Sequence, residues 1–280
     1  MDLRAFVRKL PLSAPALEAA RGLLRRRRRR ALAHGYYTDK LQAIERWLDE
    51  SNEVTNLTYD LTEMNARYLA AFVEAVTGCQ RARAAGFIDE LGADVELARH
   101  IRATTEASPH RATADPQARY GRRAGWYAVV RALRPRLVVE TGLGACVLAA
   151  ALARNAAEGH PGRYVGTDLH PLAGWLLGEP YSRYGEVLRG DSIASLARLD
   201  GPVDLFIADS DHTDGYEARE LRAIEPLLSP RALLLSDNAH SATALLDFAD
   251  RTGRRFLFWR EEPRDHWYPG CGIGAAWSAV

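Results

Sequence analysis

Apolar positions follow two different rhythms along the chain. Up to about residue 107 they recur every three or four positions, the spacing of an amphipathic helix; from about residue 135 they gather into short runs separated by turn residues. Residues 16–33 read as one helix. A second starts at Asp39, with Gln42 three positions later, and carries Leu41, Ile44, Trp47 and Leu48 on one face. A third starts near Asp60, with Glu63 as its partner, carries the stripe Leu61, Met64, Tyr68, Phe72, Val73 and Val76, and ends at Gly78. A fourth spans about 89–107, before Pro109. The polar, proline-containing stretch 108–122 reads as a linker or loop. A helix with Trp126, Tyr127, Val130 and Leu133 then runs to Pro135.

The second half repeats strand, turn, helix. Expected strands are 137–140, 163–167, 186–189, 203–208, 232–235, 255–259 and 273–278, with helices after the first, fourth and fifth. Strands alternating with helices predict a parallel, doubly wound sheet. No helical stretch separates the last two strands, so the chain should end in a strand pair with one antiparallel member. The fold class is therefore α/β, a Rossmann-like doubly wound seven-stranded sheet preceded by an α-helical region, with domains expected at 1–115 and 116–280.

Composition adds bounds. With 280 residues, 47% hydrophobic and 26% charged, the chain can bury a substantial core. Net charge is +1, but residues 1–30 hold ten basic residues against two acidic ones, a local +8 against about −7 for the rest. Arg25 to Arg30 span more than a helical turn and so point in every direction, which fits a solvated helix end better than a buried stripe. Contact with nucleic acid or an anionic surface is the competing reading, weakened by the absence of interleaved aromatics and by the acidic balance of the remainder. Almost all basic residues are Arg, a bias that reads as a coding preference; the N-terminus lacks the apolar core of a secretory signal, and its Arg-rich, acid-poor composition superficially suits an organelle transit peptide. Cys79, Cys146 and Cys271 make no disulfide framework or zinc motif, which fits a reducing cytoplasm. No run of 18 apolar residues suggests a membrane span.

Chemistry gathers at the strand ends. Glu140, Asp168, Asp191, Asp209 and Asp237 each close a predicted strand, and ligands of open α/β sheets bind at that rim. One such acid is ordinarily a cap or turn residue; five together point to a site. Glu140-Thr141-Gly142-Leu143-Gly144 supplies a turn whose backbone can approach a ligand closely. Gly142-x-Gly144-x-x-Val147, with Asp168 21 residues further on, also passes a loose dinucleotide pattern. An NAD(P)-dependent oxidoreductase is therefore one alternative, opposed by Val147 in the third position, by the acid preceding the glycines, by the terminal strand pair, and by the lack of a Tyr-x-x-x-Lys pair.

An acid-x-Gly-x-Gly after strand one, an acid closing strand two, Gly190-Asp191-Ser192 after strand three and the terminal strand pair together resemble the class I S-adenosylmethionine-dependent methyltransferases, over about residues 120–280. The resemblance implies that Gly142 and Gly144 approach the methionine part of the cofactor, that Asp168 accepts from the ribose hydroxyls, and that Asp191 and Ser192 flank the adenine. It further implies that Glu140 supports the loop or the cofactor ammonium, that Tyr120 covers the cofactor, and that Asp209 lies on the cofactor side of the rim.

Ala208-Asp209-Ser210-Asp211-His212 and Ser236-Asp237-Asn238 are similar, more narrowly, to the metal-dependent small-molecule O-methyltransferases of the catechol, caffeoyl-CoA and macrolide-sugar types. That resemblance implies Mg²⁺ on Asp209, Asp237 and Asn238, hard oxygen donors that suit the ion, and an acceptor with two adjacent oxygens. The catechol type takes the proton on Lys, but this chain has no Lys beyond Lys40. The sugar type uses a His three residues after the metal Asp, which is His212, with His240 a weaker candidate or a helix-start residue. The 261–272 loop, with His266, Trp267, Tyr268, Gly270, Cys271 and Gly272, suits either an acceptor lid or local packing. The implied function is Mg²⁺-assisted O-methylation of a small-molecule hydroxyl, natural-product or sugar type. Families of this kind often pair, so a homo-oligomer stays open. An RNA-binding or RNA-modifying methyltransferase that docks through Arg25 to Arg30 is the other alternative.

Overall fold

The computed structural model describes residues 13–141, 144–211 and 213–278. Strand alternation organises its sheet. In β1 (Leu137–Thr141), Val138 faces one side while Leu137 and Val139 face the other; β4 (Val203–Ala208) splits Leu205 and Ile207 from Phe206 and Ala208; β5 (Leu228–Ser236) splits Leu233 and Leu235 from Leu234. Both sets are buried, which is why these strands read as continuous apolar runs rather than alternating ones.

With β2 (Arg163–Asp168), β3 (Gly185–Arg189), β6 (Arg255–Arg260) and β7 (Gly272–Trp277), the sheet has seven strands in the order β3-β2-β1-β4-β5-β7-β6. The first five pair in parallel, and β7 runs antiparallel to β5 and β6. The expected seven strands and the terminal antiparallel member are all present.

Helices α1 (Ala14–Gly35) and α2 (Thr38–Glu50) precede α3 (Glu63–Thr77), α4 (Arg81–Gly92), α5 (Val95–Ala107), α6 (Arg123–Leu133) and α7 (Ala145–Ala157). After these come α8 (Ser192–Leu196), α9 (Asp214–Ile224) and α10 (Ala244–Thr252). Leu69 and Phe72 of α3, Leu91 of α4, Leu97 of α5, Trp126 of α6 and Leu148 of α7 share one core with Val138, Leu205 and Leu235. Leu196, Leu221 and Phe248, from α8, α9 and α10, cover the other face with Val139, Phe206 and Leu234. Arg131 of α6, 2% exposed, ties this helical layer together: Nε donates to Glu90 of α4 at 2.7 Å, Nη2 donates to Glu158 beyond α7 at 2.5 Å, and the guanidinium lies 4.8 Å from the centre of the Phe87 ring.

Several helical expectations need correction. The expected 89–107 helix is two, because Asp94 caps a new one through Leu97 N–H at 3.0 Å. The third helix is capped by Thr62 rather than Asp60. It buries Leu69, Phe72, Val73 and Val76 and ends at left-handed Gly78, while Met64 and Tyr68 are exposed. The boundary expected at residue 115 does not divide the compact units. One unit runs up to Glu50 and takes in Asp265–Trp267; the other is Ser51–Arg264 with the terminal strand from Tyr268. The physical reason is the shared core just described: α3 to α5 are a wall of the sheet domain.

Within the first unit no residue of α1 is buried, and Arg25 to Arg30 are exposed as expected. Lys40 donates to the His266 carbonyl at 2.9 Å, and Trp47 meets Trp267 edge-on at 5.3 Å. The rest of the expected stripe of α2 is open, with Leu41 and Leu48 exposed. No helix among the described residues is long and apolar enough to cross a membrane.

Candidate active site

The parallel ladder continues one step beyond the strands and sets the acids side by side. Asp209 N–H donates to the Thr141 carbonyl at 3.1 Å, Asp237 N–H to Ala208 at 3.0 Å and Gly190 N–H to Asp168 at 3.0 Å. One cavity of 910 Å³ opens along this rim. Gly144, Asp168, Asp191, Ser192, Asp209 and Asp237 all line it, so these sequence-selected residues share a single space. The 113–120 loop forms part of the wall rather than a free linker.

Glu140 is fully buried. Its Oε1 accepts the Gly144 N–H at 2.8 Å and its Oε2 the Tyr164 hydroxyl at 2.5 Å. Burial pushes its carboxyl up to about 7 against the lowering effect of both hydrogen bonds. It therefore braces the start of α7 from within. A Cβ on Gly144 would lie 2.5 Å from Glu140 Oε1 and 3.0 Å from the Trp126 ring, which is why this position has no side chain.

Asp168, half-buried, accepts the His170 N–H at 2.6 Å. Asp191 caps α8 through Ala194 N–H at 2.9 Å and accepts the Tyr216 hydroxyl at 2.8 Å; the backbone bond first, then Tyr216, holds its carboxyl below the usual range. The Ser192 hydroxyl donates to Glu220, which also accepts from Ser210 at 2.7 Å. Tyr120 is buried in the cavity wall. Its hydroxyl, Trp126 Nε1 and Thr167 Oγ1 are buried polar atoms without a hydrogen-bond partner among the described residues. Gly142 and His212 lie outside the described residues.

At the β4–β5 side of the rim the cavity wall is built around Arg122. Gly121 precedes it at φ +49°, against the Tyr59 ring, where a Cβ would come within 2.4 Å of ring carbon. Arg122 Nε donates to Asp237 Oδ1, Nη2 to Asp237 Oδ2 at 2.8 Å, and Nη1 to the Tyr59 hydroxyl at 2.9 Å, with Glu261 Oε1 at 3.4 Å. Tyr59 in turn donates to Glu261 Oε2 at 2.7 Å. Asp209 shares a hydrogen bond with Asp237; burial first, and then the Asp237 charge, push its carboxyl well above the ordinary range. His240 Nδ1 donates to the Asp237 carbonyl at 3.1 Å, and Cys271 Sγ lies 3.2 Å from His240 Nε2 and against the Tyr268 hydroxyl. Burial raises the Cys271 thiol above its usual range.

The implied magnesium ligands do not fit this arrangement. Both oxygens of Asp237 accept from Arg122, and the Asn238 amide nitrogen donates to the Asp211 carbonyl at 3.3 Å. A divalent ion roughly 4 Å from the guanidinium would meet about 8 kcal/mol of repulsion at an effective dielectric of 20. Among the described residues no three His, Cys, Asp or Glu side chains are grouped to hold a metal.

Residues 139–239 match the family model described as a methyltransferase domain, and the last strand in sequence, β7, runs antiparallel between β5 and β6, the terminal strand pair that the resemblance called for. The resemblance to a methyltransferase domain is carried by this segment and by the sheet topology around it. No curated protein matches the chain. Among solved structures it is similar to cofactor-bound Rv0187 from MTB, at 21% identity over 67% of this chain and 91% of that one, TM-score 0.49. The SAH-bound methyltransferase PaMTH1 of Podospora anserina is 17% identical over 81% of this chain and 100% of that one, TM-score 0.48. The SAM-bound O-methyltransferase TomG of Streptomyces achromogenes, involved in tomaymycin synthesis, is 18% identical over 67% and 91%, TM-score 0.47.

Around this cavity, sequence reasoning missed Arg122, Tyr59, Glu261 and Glu220. A signal for Arg122 was present. Two arginines in succession open the apolar helix α6, where the helix dipole disfavours cations, and such a placement asks for an acidic partner. Tyr59 and Glu261 lie about 200 positions apart, and nothing local connects them.

Proposed function

We propose that this methyltransferase uses S-adenosylmethionine to methylate a hydroxyl of a small-molecule acceptor. The observation that carries the reading is the single cavity in which Gly144, Asp168 and Asp191 stand at one end and Arg122, Asp209 and Asp237 at the other. The cofactor residues fit on their chemistry. Asp168 offers a carboxylate to a ribose diol, Gly144 a backbone free of Cβ, and Tyr120, Trp126 and Thr167 unpaired polar atoms in the same wall. When bound, the cofactor supplies an electrophilic methyl group. The chain's own residues then orient the acceptor hydroxyl and take its proton; His212, three residues past Asp209, is the proposed proton acceptor. A role in natural-product or sugar modification is part of the proposal. Magnesium assistance is left out, because Arg122 occupies the oxygens it would need.

The test is calorimetric titration of S-adenosylmethionine into the wild type and into Asp168→Ala. Binding in the micromolar range, weakened roughly 10- to 150-fold by loss of a charged hydrogen-bond acceptor, is expected. No binding to the wild type would sink the reading and send the search to nicotinamide cofactors.

A further inference from the structure

Resting on that reading of the site, we infer that Arg122 stands in the place of a divalent cation: the acceptor oxygen meets a guanidinium at the β4–β5 rim, and the acceptor needs one oxygen there rather than two adjacent ones. Asp237 and Glu261 are buried carboxylates, 1% and 2% exposed, and carboxylates so placed require a compensating positive charge. The chain supplies that charge covalently. Arg122 takes both oxygens of Asp237 in a fork and bridges to Glu261 and Tyr59 through Nη1. An arginine side chain holds its charge at every accessible pH and matches a carboxylate bidentately, which a lysine would not.

The guanidinium has five N–H groups. Four are directed at Asp237, Tyr59 and Glu261, which leaves the second N–H of Nη2 without a partner among the described residues, on a side chain that lines the cavity. That N–H can hold one acceptor oxygen. A metal ion would offer several open positions and select for chelating pairs of oxygens; a single N–H selects for a lone hydroxyl. Gly121, pressed against the Tyr59 ring, and the 2.9 Å bond from Gly121 N–H to the Tyr59 carbonyl fix the segment that carries Arg122.

The experiment titrates Mn²⁺ into the protein and follows the free-ion resonance by electron paramagnetic resonance, in the wild type, in Asp237→Asn, in Arg122→Met and in Arg122→Met combined with Asp237→Asn. The expected result is no binding in the millimolar range by the wild type, binding at least roughly tenfold tighter in Arg122→Met, and its loss in the double variant. Mn²⁺ binding by the wild type that Asp237→Asn removes would overturn the inference, as would a folded Arg122→Met that takes up no Mn²⁺. If Arg122→Met does not fold, the wild-type titration decides alone. S-adenosylmethionine titration in parallel separates the two ideas: its failure sinks the functional reading, whereas Mn²⁺ occupancy of the wild type sinks only this one.

Discussion

The buried carboxylate of Glu140 accepts the backbone N–H of Gly144 at 2.8 Å and so ties the first turn of α7 to the end of β1. Two restraints meet there: an acid that must stay inside the protein, and a position that can carry no side chain. Each has a consequence that can be measured.

Gly144→Ala places a methyl 2.5 Å from Glu140 Oε1 and 3.0 Å from Trp126. Both neighbours are buried, so the clash cannot relax into solvent. We expect a loss of about 1–3 kcal/mol of stability, as for an overpacked core, together with weaker S-adenosylmethionine binding. Thermal unfolding and calorimetry check this; an unchanged melting temperature would mean that the segment yields freely.

Glu140 also makes stability depend on pH. Its carboxyl is pushed up to about 7, from an ordinary value of 4.5, chiefly by burial. The folded state therefore keeps its proton while the unfolded state loses it. Stability from this group is intact below about pH 4.5, falls as pH rises toward 7, and is level above, a total of roughly 3 kcal/mol. Glu140→Gln cannot ionise, and its oxygen can still accept from Gly144. The variant's advantage over the wild type should grow from pH 5 to pH 7 in calorimetric melts. A constant difference across that window would show that Glu140 is ionised throughout.

Arg131 carries a purely structural prediction. Arg131→Met keeps the apolar stem but leaves Glu90, Glu158 and Asn155 without their shared donor. Arg131 and Asn155 are buried but Glu90 and Glu158 are 29% and 42% exposed, so losing the shared donor costs about 1–3 kcal/mol, which for a domain of this size lowers the melting temperature by roughly 2–12 °C. A drop of less than about 2 °C would mean that the three partners find water or one another.

What could be seen in the chain beforehand followed the range of the interactions. The seven strands and the terminal antiparallel member were legible because strand burial writes itself locally, as in Val203–Ala208, where expected and observed bounds coincide. Gly78 as a helix stop is equally local. The residue-115 boundary was not legible, because the packing of Leu69, Phe72 and Leu91 against Val138 and Leu235 is a long-range fact. The acids of the rim were found, but the partners of some were not. Asp237 reads as a metal ligand until Arg122, 115 positions away, is placed against it. Asp191 turned out to cap α8 as well as to line the cavity, a local role that any strand-end Asp can take.

Two histidines are candidates for the acceptor proton, and the structure describes the surroundings of one of them, His240. His240 Nδ1 faces the Asp237 carbonyl, which can only accept, so Nδ1 carries a proton and in the neutral ring the lone pair is on Nε2. Cys271 lies 3.2 Å from that nitrogen, and burial keeps its thiol protonated, so the Nε2 lone pair is already engaged by an S–H donor. His212, the proposed base, lies outside the described residues. We therefore expect His212→Gln to lower kcat by about 10²- to 10⁴-fold, the usual contribution of a general base, and His240→Gln to lower it by less than about tenfold. S-adenosylmethionine affinity, measured by calorimetry on both variants, should be retained, which separates lost chemistry from a collapsed site. The reverse ranking would move the base to His240 and require Cys271 to swing away when the acceptor binds, a displacement that Cys271→Ala would then make unnecessary.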